Sequence, residues 1–361
     1  MSERIQKNDN RATIRWKLLT GVSVLALAAY VSASEAAKAE DASRPLIWLE
    51  LSGGTEMVQG SSRPFTADFM FPTQPPQDNV YGDKSWGWKQ APSRFAFGGD
   101  AKITFQPQDS DWLFSAEIRY GRSHSKKHTH YQGPFNYQKY ATALSDSLSR
   151  SNEQHVIADF SAGKDIGLGL LGKDGSSSVS VGVRFAQFTA KSATHISARP
   201  FATLYTVGFY HFASFDQFYL TGHQARSFKG VGPSLSWNAS AAIAGNPEQS
   251  ELTLDWGVSA ALLFGRQKAK IDHTTSGFHY KYGVHSPYTH PHNDPLRSRN
   301  VTVPELSGFI GLSARLPHSK VSIGYKGDIW FGAMDTGIDA RKTSNLTFNG
   351  PYASISIGLG D

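Results

Sequence analysis

Two histidine-rich stretches, residues 123–131 and 285–294, hold the spacing that comes closest to metal chemistry. In each of them two histidines are two residues apart: His128 with His130, and His290 with His292. In an extended chain each pair has the spacing to chelate zinc or copper. The flanking carboxylates are few and the segments are polar throughout. We therefore expect exposed loops there, with these four histidines as weak metal candidates, and no resident metal or other cofactor.

The motifs of common enzymes are missing from the sequence. Gly167-Leu-Gly-Leu-Leu-Gly172 matches the dinucleotide fingerprint by letter, but it leads into a turn and another strand where a helix is required. No Gly-x-Ser-x-Gly elbow and no His-Glu-x-x-His helix is present. A hydrolase at the rim of a barrel would have to recruit residues that the sequence alone does not assemble, such as His155, Asp159, His211, His223, Asp272 and His273. We predict that the protein is not an enzyme.

A third group of residues is charged and recurs at alternate positions of apolar segments. In residues 252–266 every second side chain from Leu252 to Phe264 is apolar, whereas the interleaved set is mostly small or polar and includes Asp255. Strand side chains alternate between two faces, so this segment is a strand with an apolar face and a mixed face. The mixed faces of this and similar segments carry the following charges: Arg94, Asp100, Lys102, Glu117, Arg119, Asp159, Arg184, Asp255, Arg315, Lys326 and Asp328.

The same alternation recurs along the chain and predicts about ten strands. The clear ones lie at 94–105, 112–120, 179–185, 252–266, 306–315, 321–331 and 353–359, and less regular ones lie near 45–58, 153–166 and 222–243. A hairpin within 200–221 would raise the number to twelve. No segment between them has a comparable helical period.

The connections between these strands alternate strictly between short and long. Short turns occupy 107–111, 173–176, 245–248 and 317–319, and long polar segments occupy 59–93, 125–152, 190–221, 267–303 and 334–345. In a closed antiparallel barrel this places every short turn at one rim and every long loop at the other. Outer-membrane barrels have this asymmetry, with short periplasmic turns and long outer loops.

The direction of the apolar faces separates a membrane barrel from a soluble β-sandwich, in which they would meet inside. Each clear strand carries about five apolar outward positions, close to what a tilted membrane-spanning strand needs. Aromatic residues lie near the strand ends, as in interfacial girdles. We therefore predict an all-β, closed antiparallel transmembrane β-barrel whose charged residues line the lumen. Alternation alone leaves the sandwich open.

The first residues have the parts of a secretory signal peptide. Arg11, Arg15 and Lys17 precede an apolar run over 18–31, and Val31-Ser32-Ala33 is a small-residue cleavage site. We predict a signal peptide at 1–33, a short segment at 34–44 and the barrel at 45–361. The chain has no cysteine, and its net charge of +6 does not argue for nucleic-acid binding.

Two functions are compatible with such a barrel. One is an outer-membrane pore that passes small polar solutes or ions through a charge-lined lumen, selected by size and charge. The other is a closed structural or surface-attachment barrel, since eight strands enclose a filled interior and only much larger barrels leave a wide channel. The partners we expect are outer-membrane lipid, lipopolysaccharide and the barrel-insertion machinery, although the terminal Leu359-Gly360-Asp361 lacks the aromatic residue that this machinery reads in many barrels. The sequence leaves the oligomeric state open.

One part of the chain resembles a known family. Arg226-Ser-Phe-Lys-Gly-Val-Gly-Pro-Ser-Leu-Ser-Trp237 and the strand over 252–268 are similar to pore-forming outer-membrane proteins related to the Legionella major outer membrane protein. The closing segment, 350–360, is in keeping with them. The resemblance implies a Gram-negative outer-membrane pore with no catalytic residues to carry over. It also implies structural roles for Gly230, Gly232 and Pro233.

Overall fold

The chain folds almost wholly into β-strands. The computed structural model describes residues 47–60, 67–69, 86–88, 94–107, 110, 112–132, 144–166, 176–199, 203–207, 210–246, 249–281, 284–293, 296–337 and 341–359. The strands are β1 (Ile47–Gln59), β2 (Ala67–Phe69), β3 (Trp86–Trp88), β4 (Arg94–Phe105), β5 (Trp112–Gln132), β6 (Leu144–Asp165), β7 (Ser176–Arg199), β8 (Thr203–Val207), β9 (Tyr210–Asn246), β10 (Ser250–Lys281), β11 (Val284–Asn293), β12 (Arg297–Leu316), β13 (Ser319–Asp335) and β14 (Thr343–Leu359).

Ten of these strands close into one antiparallel barrel. The wall runs β1–β4–β5–β6–β7–β9–β10–β12–β13–β14, and β14 pairs back onto β1, for example through Leu51 and Ile355. This confirms the predicted fold and the count of ten. The segment over 200–221 does form a hairpin, between β8 and the start of β9. However, β8 pairs only with the long-loop end of β9, and β11 pairs only with the long-loop end of β10, so neither β8 nor β11 is a strand of the wall. Strands β2 and β3 form a separate pair.

The apolar faces point away from the barrel. In β10 Leu252, Val258 and Phe264 are 41%, 50% and 56% exposed, whereas Thr253 and Leu263 on the interleaved face are buried. Large apolar side chains are exposed in the same way on every strand of the wall. Such a surface is stable against lipid and not against water, so the chain forms a transmembrane barrel and the soluble sandwich is wrong. The described residues include no helix with the length and apolar character needed to cross a membrane.

The strands extend far beyond the apolar band on the long-loop side. The predicted loops 125–152, 190–221 and 267–303 are largely strand, because β5, β6, β7, β9 and β10 continue through them as paired ladders. Sequence patterning missed these extensions because a strand outside the lipid has no need of an apolar outward face, although its backbone hydrogen bonds remain. The histidine pairs accordingly lie on β5 and β11 and not in loops. The predicted signal peptide and the segment 34–44 lie outside the described residues.

Candidate functional site: the filled lumen

A cluster of five charged side chains, the central cluster, lies in the middle of the lumen: Glu56, Asp100, Arg119, Lys326 and Asp328. Arg119 donates from Nη2 and Nε to Glu56 Oε1, at 2.7 and 3.1 Å, and from Nη1 to Asp328 Oδ2 at 2.7 Å. Lys326 Nζ lies 3.2 Å from Asp100 Oδ2 and 3.9 Å from Glu56 Oε1. The cluster therefore joins four strands, β1, β4, β5 and β13, through charge-assisted hydrogen bonds.

A second group of ion pairs crosses the lumen nearby. Arg184 on β7 donates from Nε to Asp159 on β6 at 2.7 Å and from Nη1 to Glu305 on β12 at 2.5 Å. Its Nη2 is 3.3 Å from the hydroxyl of Ser259 on β10. Since β7 and β12 are not neighbours in the wall, this arginine spans the interior and fills it.

A third group lies toward the short-turn rim. Asp255 accepts hydrogen bonds from Lys320 Nζ at 2.6 Å and from the Ser313 hydroxyl at 2.5 Å. Arg315 Nη1 lies 3.7 Å from Glu251 at the same rim. The lower lumen is thus lined by paired charges and hydroxyl groups.

Ten of the eleven charged residues singled out in the sequence have described side chains, and all ten lie on inward-facing positions of the wall. Their charges mostly face one another and not an open channel. Lys102, for example, lies opposite Glu50 and Glu117 in the strand register. The side chain of Arg94 is outside the described residues. Sequence reasoning missed four acceptors or donors in these networks, although each follows the same alternation: Glu56, Glu251, Glu305 and Lys320.

An apolar layer closes the lumen on the outer side of the central cluster. It is built from inward side chains of six wall strands: Phe188, Phe228, Leu263, Val303, Trp330 and Phe348. Phe188 meets Trp330 edge to face, with ring centroids 4.8 Å apart, and stacks on Phe228 at 5.8 Å. A cavity beside the layer, between Phe188, His155 and Phe348, holds about 10 Å³, room for roughly one water molecule. At this level the lumen is therefore filled by packed apolar side chains.

Residues 333–337, here called the strap, fold inward from the end of β13 and lie buried within the barrel mouth. The β13–β14 ladder is interrupted by a bulge between Trp330 and Met334. Gly332 in this bulge has φ of +67°, a left-handed conformation that glycine adopts without strain. The bulge redirects the chain from the wall into the lumen.

Two arginines from other strands hold the strap, and a glutamine holds Gly332 just before it. Arg297 on β12 donates to Asp335 at 3.1 Å and to the Gly337 carbonyl at 2.8 Å. Gln267 on β10 donates to the Gly332 carbonyl at 3.2 Å, and Arg226 on β9 donates to the Thr336 carbonyl at 3.2 Å. Asp335 also shapes the turn, because its Oδ1 accepts the backbone N–H groups of residues 337 and 342 at 3.0 Å each. The strap is therefore a defined constriction.

Replacing Gly332 by alanine is expected to lower the free energy of unfolding by about 1–2 kcal/mol, because a side chain is strained at this φ. Gly327→Ala on the same strand is the matched control: its φ is not positive and the nearest atom to an added Cβ is 3.6 Å away. Urea unfolding of the detergent-folded barrel, followed by tryptophan fluorescence, measures both. Equal midpoints for the two variants would show that the bulge does not depend on its glycine.

The histidine pair on β5 converges on one carboxylate. Nε2 of His128 is 2.6 Å and Nδ1 of His130 is 3.9 Å from Asp146 on β6, and all three side chains are exposed on the outer surface. The side chains of His290 and His292 lie outside the described residues. Among the described side chains no group of three or more His, Cys, Asp or Glu is arranged to hold a metal ion.

Four of the residues considered for a hydrolase lie in two different places. His155 and Asp159 lie inside the lumen, next to Glu56 and Arg184 respectively. His223 and Asp272 lie opposite each other on the exterior of β9 and β10. The side chain of His211 and the glycine-rich segment 167–172 are outside the described residues.

Comparisons with known proteins leave the family open. No protein-family model and no curated protein matches the chain. Among solved structures, the Pseudomonas putida toluene transporter TodX is 8% identical with a TM-score of 0.24, covering 90% of this chain and 91% of that one. A TodX deltaS2S3 mutant, a monoaromatic hydrocarbon channel, is 10% identical with a TM-score of 0.25, over 88% and 91%. The transport unit of the autotransporter AIDA-I from Escherichia coli is 10% identical with a TM-score of 0.21, over 89% and 93%. At such scores the architecture stands on the strand pairing described above.

Proposed function

We propose that the protein is an outer-membrane channel for small polar solutes or ions, and that the strap and the apolar layer hold it closed at rest. The lipid-facing exterior and the asymmetry of the rims support the membrane placement. The charged lower lumen is a polar lining that solutes can enter from the short-turn side. The resemblance of residues 222–268 to pore-forming outer-membrane proteins agrees with the same reading.

The observation that carries the proposal is that the closed mouth buries polar groups without pairing them. Within the described structure Nε and Nη1 of Arg226, Oε1 of Gln267 and Nε1 of Trp330 have no hydrogen-bond partner although they are buried. Each such group loses its hydration without a replacement bond, which costs about 1–3 kcal/mol. These unpaired groups therefore destabilise the closed state next to the strap. When the strap moves out of the mouth, water can enter and hydrate them, which removes this cost.

The test is single-channel conductance of the refolded protein in a planar bilayer. The native chain is expected to open rarely and briefly. Asp335→Ala removes the hydrogen bonds that shape and hold the strap, and is expected to raise the open probability about tenfold or more. Asp272→Ala is the control, because it removes an equivalent carboxylate from the exterior, where Asp272 pairs with Lys270 at 3.1 Å. It is expected to behave as the native chain does.

The alternative is a permanently closed structural or surface-attachment barrel. The specific observation in its favour is that the apolar layer draws side chains from six strands of the wall and not from the strap alone. If the native chain and Asp335→Ala are both silent in the bilayer while heat-sensitive gel mobility shows both folded, the closed barrel is correct.

A further inference from the structure

Basic side chains gather on one half of the outer surface, just beyond the apolar band. They are exposed, they point away from the lumen, and they lie on β5, β6, β7, β9 and β10. We call the following six the basic arc: Lys126, Arg150, Lys191, Lys229, Arg266 and Lys268. The other half of the wall differs, because the described outward-facing residues of β12, β13, β14, β1 and β4 include no charged side chain.

The basic arc begins where the lipid-facing surface ends. On β10 the exposed Phe264 is followed by Arg266 and Lys268 at the next two outward positions. On β9 Lys229 is the outward neighbour of the exposed Val231, and its Nζ lies 5.5 Å from the ring centre of Phe185. Basic and aromatic side chains in this arrangement belong at the level of the lipid headgroups.

The strand register places like charges directly opposite each other within this arc. Lys126 on β5 pairs with Arg150 on β6, and Lys229 on β9 pairs with Arg266 on β10. Directly opposed like charges destabilise a sheet. In the part of the chain that the structure describes, none of these four side chains forms an ion pair. Two such pairs on neighbouring parts of one surface indicate that an anion from outside the chain neutralises them.

The nearby carboxylates do not serve this purpose. Asp272 pairs with Lys270, and Asp146 is engaged by His128. A second copy of the chain docking arc against arc would bring positive charge against positive charge, so self-association through this surface is unfavourable. The missing partner must be anionic and must lie at headgroup level on the long-loop side.

We propose that the basic arc binds the phosphate groups of lipopolysaccharide in the outer leaflet. The arc presents cations at the edge of the apolar band, where lipid phosphates lie beside buried acyl chains, and anionic headgroups attract such clusters. Arginine and lysine form short, charge-assisted bonds with phosphate oxygens. The described outward-facing residues of the opposite half offer no such cations. The inference rests on the membrane placement proposed above but not on the channel activity.

The experiment compares the thermal unfolding of the detergent-folded barrel with and without added lipopolysaccharide, read from heat-sensitive gel mobility. Lipopolysaccharide is expected to raise the melting temperature of the native chain, because a ligand of the folded state stabilises it. Lys126→Gln with Lys229→Gln removes one member of each like-charge pair. In this variant we expect the affinity for lipopolysaccharide to fall roughly tenfold or more. The melting temperature without lipopolysaccharide is expected to stay the same or to rise, because the repulsion is gone.

Three controls separate this binding from other causes. Lys126→Arg with Lys229→Arg keeps both charges and is expected to retain the affinity. Lys164→Gln removes an exposed charge at the short-turn rim and is expected to change nothing. Lipopolysaccharide with its phosphates removed is expected to shift the native melting temperature as little as intact lipopolysaccharide shifts the glutamine variant.

Two outcomes overturn the inference: an equal lipopolysaccharide shift in the native chain and the double glutamine variant, or self-association that the glutamine variant loses without any dependence on lipopolysaccharide. A silent bilayer would count against the channel alone. A chain that fails to fold in detergent at all would contradict the membrane placement itself.

Discussion

Arg119→Ala is expected to lower the free energy of unfolding by about 3–5 kcal/mol, the usual result of breaking a buried ion pair by removing one partner. The reason is that Glu56 and Asp328 each accept a hydrogen bond from this guanidinium at 2.7 Å, and both carboxylates would stay buried without it, with Lys326 at 3.9 Å from Glu56 as a weak replacement. Urea unfolding of the detergent-folded barrel measures the loss. Arg315→Ala is the control, because Arg315 Nη1 lies 3.7 Å from Glu251 and the Arg315 side chain is 41% exposed. We expect this variant to lose about 1 kcal/mol, since water screens so long a pair on its exposed side.

A second variant tests whether charge or packing causes the loss. The triple substitution Arg119→Met, Glu56→Gln and Asp328→Asn replaces all three charges with neutral groups of similar size. It should recover much of the lost stability, since removing the three charges together leaves neither carboxylate buried without its partner. If the triple variant is as unstable as Arg119→Ala, the contribution of Arg119 is packing across the lumen and the electrostatic account is wrong.

Trp330→Ala is expected to lower the free energy of unfolding of the barrel by about 3–5 kcal/mol. The folded variant is also expected to show a steady leak conductance. Trp330 is 0% exposed and packs edge to face on Phe188 in the apolar layer. Its removal leaves a cavity in the apolar layer. Planar-bilayer recording measures the leak, and chemical unfolding measures the stability.

The next residue provides the control for Trp330. Phe331 is 41% exposed and points into the lipid, because neighbouring residues of a strand face opposite sides. Phe331→Ala removes an aromatic ring of similar size one position away. It is expected to leave the conductance unchanged and to cost less stability, because lipid fills the space it vacates. A leak in both variants would mean that conduction follows general loosening of the barrel and not the loss of the layer.

A substantial part of the fold could be predicted from the sequence, because alternate residues of a membrane-barrel strand face lipid and the lumen and therefore differ in polarity. The segment over 252–266 predicts both the strand and the direction of its faces, and the strict alternation of turn lengths predicts closure with two unlike rims. The prediction failed where that signal stops. The outer parts of β5, β7 and β9 lie beyond the lipid, so their outward faces are mostly polar and the apolar alternation that marks a strand breaks off.

The charged lumen residues follow the same alternation, so the sequence alone identifies most of them by position. It does not identify their partners, because Arg119 with Asp328 and Arg184 with Glu305 join strands that are far apart in the chain. The closure of the lumen is likewise decided only by the tertiary structure. In the sequence Phe188 and Trp330 are two unrelated apolar residues, and only the closed barrel brings them into contact. The strap likewise depends on the turn at Gly332 and on donors from three other strands. The sequence by itself determined which side of each strand meets lipid, since that depends on local alternation. Only the tertiary structure decided whether the space inside is open or filled, since that depends on side chains meeting across the barrel.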